Sequence, residues 1–223
     1  PTNDLLEARA SGTVEFSLSP DLIPQALKTR IDEEVLRAEG SWSDLTRLRA
    51  VLTGELSSGE LKEFAGRFLR GDQLLGEAKV AGPLDLSKKE GRLTLQITSL
   101  DRQVLNLAGA PFGLDFNTTV IDATAEVSLT QAGSVVAANA RLNASRFSVT
   151  QEARTTPPMD LRLACDVRVN TAAESAQLQA LTLEGSQNQQ PFLRGSLAKP
   201  IALAWGKTAA AAGDSAFDLA VTD

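Results

Sequence analysis

A chain of 223 residues with 43% apolar content is within the range of one all-β domain and has enough apolar material to fill a core, so no disordered class is implied. A formal charge of −6 argues against a surface for nucleic-acid phosphates, which needs clustered Lys and Arg. Histidine and tyrosine are absent and cysteine occurs once, which excludes an internal disulfide and a multi-cysteine metal site and removes the commonest general base.

No apolar run approaches the roughly 20 residues of a membrane helix, and the start does not resemble a signal peptide. The opening at Pro1 without Met fits a processed chain or a piece excised from a longer protein, and the strand-like Phe217, Leu219 and Val221 at the end favour the excised piece, with any anchor in flanking sequence.

In chain order, Val14, Phe16 and Leu18 alternate with Glu15 and Ser17 and predict a strand ending at Ser19-Pro20. Ile23, Leu27, Ile31 and Val35 recur every four positions and predict a helix over residues 21–37, stopped by Gly40. Leu48, Ala50 and Leu52 predict a strand toward Gly54. A second helix is expected over residues 57–69, because Ser57 and Glu60 have capping-box spacing and Leu61, Phe64, Ala65, Phe68 and Leu69 form one stripe. Residues 1–72 thus read as a mixed helix and strand portion.

From residue 73 onward the pattern is that of an antiparallel meander within the same single domain. Ala78 and Val80 precede an expected turn at Gly82-Pro83, and Lys88 to Gly91 form a charged hairpin tip. Leu93, Leu95 and Ile97 alternate with Arg92, Thr94 and Gln96. One helical turn is expected over residues 101–107. Ala123 to Leu129 and Val136 to Leu142 form a hairpin about Gln131-Ala132-Gly133, and Phe147 and Val149 start a strand that residues 155–158 interrupt. The cleanest strand follows, with Met159, Leu161, Leu163, Cys165, Val167 and Val169 on one face and Asp160, Arg162, Asp166 and Arg168 mostly filling the other. A phase slip between Ala180 and Leu181 predicts a β-bulge. Short strands at residues 192–197 and 201–205 precede a flexible turn at residues 209–212. Turns every 10 to 20 residues without helices between them indicate antiparallel neighbours.

Little here carries chemistry. Cys165 reads as a small apolar residue, since the chain has no histidine to activate a thiolate. Asp32, Glu33 and Glu34 would form a solvated helix face, and the glycosylation-like triplets at Asn117 and Asn143 are meaningful only in a eukaryotic secretory context. No phosphate loop, nucleophile elbow or zinc spacing occurs. The chain is expected to be neither an enzyme nor a cofactor binder, and nucleic acid is not an expected partner.

Two stretches resemble a known family. The expected capped helix followed by Leu74-Leu75-Gly76-Glu77-Ala78-Lys79-Val80-Ala81-Gly82 and Leu84-Asp85-Leu86, and Pro157 through Leu183 to Gly195-Ser196-Leu197 and Ile201-Ala202-Leu203, are similar to the helix, strand and turn grammar of the AsmA-like family over roughly residues 45–205. The resemblance implies a periplasmic protein of a Gram-negative envelope, tethered to the inner membrane by a segment outside this chain, with a long curled antiparallel sheet that supports lipid transport and outer-membrane biogenesis. Acyl chains would be its ligands, and envelope or membrane proteins its possible partners.

The expected fold is accordingly mainly β, a curled antiparallel sheet forming an open groove or partial barrel with one or two short helices on it. The residues placed on its apolar face are Leu93, Leu95, Ile97, Met159, Leu161, Leu163, Val167 and Val169. Two readings of that face stay open. It is either an accessible groove for acyl chains, or the filled core of a structural or adhesive cell-surface domain without a ligand.

Overall fold

The computed structural model describes residues 5–22, 24–57, 59–205 and 217–221. In chain order they form β1 (Leu5–Leu18), β2 (Pro24–Glu39), β3 (Leu48–Ser57), β4 (Glu60–Arg70), β5 (Gln73–Asp85), β6 (Glu90–Asp101), the helix α1 (Arg102–Gly109), the short β7 (Leu114–Asp115), β8 (Val120–Thr130) and β9 (Val135–Phe147). Two more short strands, β10 (Thr150–Gln151) and β11 (Arg154–Thr155), precede β12 (Met159–Asn170), β13 (Ser175–Gln187), β14 (Gln190–Leu197), β15 (Ile201–Ala204) and β16 (Phe217–Val221). Tight 3-10 turns occupy Gly40–Leu45 and Ala110–Phe112.

One antiparallel sheet takes thirteen of these strands in the order β1-β2-β3-β4-β5-β6-β8-β9-β12-β13-β14-β16, with β15 beside the other half of β13. Nearly every strand pairs with its chain neighbour, as an alternating sequence with short turns dictates. The sheet does not close on itself. Its ends are β1 on one side and β16 with β15 on the other. Right-handed twist and a series of bulges give it its curl. One bulge skips Gln179, where Asp166 faces Ala180 and Val167 faces Leu178, so the phase slip expected beside Ala180 is a bulge.

Both expected early helices are strands. Residues four apart lie on the same face in a strand as well as in a helix, so the spacing of Leu27, Ile31 and Val35 suits either; Ile23 lies outside the described residues. Pairing with β1 and β3 on both sides gives β2 a full ladder, which an isolated helical face cannot match. In β4, Phe64 and Phe68 share a face with Gly66, while Ala65 and Leu69 face the other way. Ser57 and Glu60 are not a capping box but opposite residues flanking the β3–β4 hairpin. The expected turn at Gly82-Pro83 is also absent, because β5 runs through both. Gly82, at φ +141°, lets β6 approach so closely that a Cβ would lie 2.2 Å from the Arg92 carbonyl oxygen. The flexible turn at residues 209–212 lies outside the described residues.

The helical turn expected near Asp101 does form, as α1. Asp101 caps it, its carboxylate accepting from the Gln103 and Val104 amides at 2.9 and 3.3 Å. With the Gly40–Leu45 turn, α1 folds over one end of the sheet and forms the core there. Val35, Ala38, Leu45, Leu48, Leu75 and Val104 are buried together, with Trp42, Phe68, Leu100 and Leu107 packed against them. A three-stranded sheet, β11-β10-β7, braces the same end. There the buried Thr119 hydroxyl accepts from the Ser148 amide at 3.0 Å and donates to its carbonyl at 3.2 Å. Asn106 bridges the Asp115 carboxylate and the Phe116 amide, each at 2.9 Å.

Candidate functional site

Register carries one apolar row from edge to edge. Gly12, Ile31, Leu52, Gly66, Ala78, Ile97, Ala123, Leu142, Leu163, Leu183, Gly195 and Leu219 stand opposite one another on successive strands. Paired residues in an antiparallel ladder project to the same side. A parallel row holds Phe64, Val80, Leu95, Ala125, Ala140, Cys165 and Leu181, and a third holds Leu93, Val127, Ala138, Val167 and Leu178. Positions in between make the opposite face polar, as in Arg30, Thr53, Lys79, Gln96, Thr124, Arg141 and Thr182.

These rows bring together the residues singled out on two separate stretches of sequence. Leu93, Leu95 and Ile97 on β6 share a face with Leu161, Leu163, Val167 and Val169 on β12, three ladder steps or about 14 Å away. Met159 sits at the end of the same strand, opposite Phe147. All eight are half-buried, and the buried apolar residues concentrate instead at the capped end. Between β6 and β12 the floor is low, because Ala123, Ala125, Ala138 and Ala140 occupy the central strands while leucine and valine flank them. Toward the edges the same face is more open, with Phe16 67% and Leu219 56% exposed.

The first five strands contribute Val14, Phe16, Leu27, Ile31, Leu52, Leu56, Phe64 and Val80 to this face, none of which the sequence reading placed on it. The period-4 spacing in β2 and the aromatic stripe of β4 carried the signal, assigned to helices. Strand geometry also splits the carboxylate run of residues 32–34. Asp32 and Glu34 lie on the polar face. There the Arg49 guanidinium donates to Asp32 from Nε at 2.7 Å, with a second contact from Nη2, and its hydrogen bonds hold the carboxyl below its usual range. Glu34 pairs with Arg9 at 3.4 Å. Glu33 instead falls on the apolar side, opposite Ala10 and Ala50.

The two ends of the trough differ. At one, α1 and the Gly40–Leu45 turn sit over the apolar side, with Arg102 paired to Asp44 across them. At the other, the connections among the described residues are turns, and a depression of about 460 Å³ is lined by Pro24, Leu56, Leu84 and Leu86 with polar Asp21, Gln25 and Ser87 around them. Asp85 organises one of these turns by accepting from the Ser87 hydroxyl at 2.6 Å and from the Ser87 and Lys88 amides at 3.0 Å. Those bonds bring its carboxyl down to about 2. Cys165 is a free thiol, half-buried on the apolar face.

No family model matches this chain, and neither a curated protein nor a solved structure matches it.

Proposed function

We propose that this protein is a non-enzymatic lipid-handling module, a curled sheet whose apolar side shields acyl chains from water. The observation that carries the reading is the apolar face itself. It runs unbroken across twelve strands, stays half-exposed along most of its length, and is covered at one end by α1 and the Gly40–Leu45 turn. Each methylene moved from water onto such a face gains about 0.8 kcal/mol, so a chain of ordinary lipid length is held without a specific polar contact. Part of that gain is offset by ordering the ligand. Specificity would then rest on shape and length and not on a charged clamp.

The strand-and-turn resemblance over residues 45–205 supports placing this module in an AsmA-like protein of a Gram-negative periplasm, tethered to the inner membrane outside this chain and working in lipid transport for the outer membrane. Envelope or membrane proteins would deliver or receive the lipid.

The test is lipid capture paired with a charge on the trough. Native mass spectrometry of gently purified protein, and photo-crosslinking with an aryl-azide phospholipid, should show bound lipid for wild type and none for Leu163→Asp. That variant should remain folded, since its carboxylate has access to water. Unfolding by Leu163→Asp, with no lipid on the wild-type protein, would favour the structural or adhesive domain with a filled core.

A further inference from the structure

Among the described residues, the strand β1 is a long edge protected only by the charges of Glu7, Arg9 and Glu15. It spans 14 residues, pairs among the described residues with β2 alone, and is exposed at every position from Leu6 to Leu18. Natural edge strands are commonly short, bulged, broken by proline or marked by inward charges. β1 has no proline, the extra residue at its one mid-strand register shift is Leu36 of β2, and its inward positions are apolar or glycine throughout.

We propose that β1 is a self-association edge, at which two copies of the chain pair β1 antiparallel to β1 about a two-fold axis through Gly12. Such pairing continues the backbone ladder and keeps the apolar faces of both copies on one side. Only registers that match faces need be considered, and the charges choose among them. With Gly12 opposite Gly12, Arg9 of each copy stands opposite Glu15 of the other, and Ala10 meets Val14, Ala8 meets Phe16 and Leu6 meets Leu18. Shifting the centre to Ser11 sets Glu7 against Glu15, a repulsive pair. Shifting it to Thr13 leaves Arg9 opposite Ser17 and forfeits both ion pairs. Arg9 is free to serve, since it is 71% exposed even while in contact with Glu34. The opposite edge offers a poorer partner, because β16 spans only five residues and carries a single charge, Asp218. An isologous contact of this kind closes at two copies. It joins two troughs side by side with their capped ends pointing in opposite directions.

Sedimentation velocity of the whole protein across a concentration series tests the proposal. Wild type should dimerise. Arg9→Glu and Glu15→Arg should each weaken the dimer by about tenfold or more, because each places two like-charge pairs directly across the junction. The double swap Arg9→Glu with Glu15→Arg should restore it. Circular dichroism confirms that the single variants fold. A wild-type monomer at every concentration overturns the proposal, including one whose β1 amides exchange slowly because another segment of its own chain covers the edge. A dimer indifferent to both single swaps overturns it as well.

Discussion

The capped end and the open trough are built from the same strands yet obey different packing rules. At the cap, β2, β3 and β5 present Val35, Leu48 and Leu75 to α1 and the Gly40–Leu45 turn, and these side chains are almost fully removed from water. A few turns further along the same sheet, Ile97, Leu163 and Leu183 have ladder neighbours on either side but are only half-buried. Sheet pairing alone satisfies the backbone without filling the space above the apolar side. The stability of the fold therefore concentrates where helix and turn cover the sheet.

The largest expected contrast comes from placing a charge in each region. Leu48→Asp, at the cap, buries an unpaired carboxylate, and thermal melting should show it unfolded at room temperature. Leu163→Asp, in the trough, should retain a cooperative transition. Comparable loss in both would erase the distinction.

Truncation sharpens the same comparison at smaller magnitude. Leu45 is 1% exposed, so Leu45→Ala should cost about 2–4 kcal/mol by urea denaturation. Leu163→Ala should cost about 1 kcal/mol or less, since its side chain is only half out of water. Trp42 packs on the cap core, so its fluorescence should follow the first change and not the second.

The cap has a separable helical part. Asp101→Ala removes the acceptor for two amides of α1 and should cost about 1 kcal/mol, with faster hydrogen exchange confined to α1 and its neighbours.

The smallest effect is set by pH. Asp32, Glu55, Asp85 and Asp115 all have carboxyls below their ordinary range. The causes are hydrogen bonds from Arg49 for Asp32, from Lys62 for Glu55 and from Ser87 for Asp85. For Asp115, burial pushes upward but is outweighed by bonds from Asn106 and the Asn117 amide. A carboxyl lowered on folding stabilises above its unfolded value and loses that contribution as pH falls through the folded one. Melting temperature should hold level from about pH 5.5 to 8, where a chain without histidine has almost nothing to titrate, and decline below about pH 4. A step near pH 6.5 would contradict this.

Strict alternation made most of the sheet legible from residue 90 onward, although Phe147, expected to start a strand with Val149, ends β9 instead. In β12 every second residue from Met159 to Val169 is apolar, and no helix accommodates that period. The bulge beside Ala180 was legible for the same reason, as a single break in an otherwise regular phase. β2 and β4 were not, because period 4 is shared by helix and strand, and because an Ser-x-x-Glu spacing occurs equally across a tight hairpin. Their contribution to the apolar face, from Leu27 and Ile31 to Phe64, was hidden with them. The cap core was legible only at Asp101 and α1. Leu45 and Trp42 lie in a short turn with no period of its own, and their burial depends partly on Leu75, Leu100 and Val104, about 30 to 60 residues away in sequence.

Cys165 lies midway along the apolar face, between Ala140 and Leu181, and gives the most direct measurement of whether that face is open to acyl chains. Its reaction with an uncharged maleimide should proceed in native buffer, faster than global unfolding allows, and slow markedly when short-chain phospholipid is added below its micelle concentration. Labelling that occurs only at the unfolding rate and does not respond to lipid would contradict an open trough.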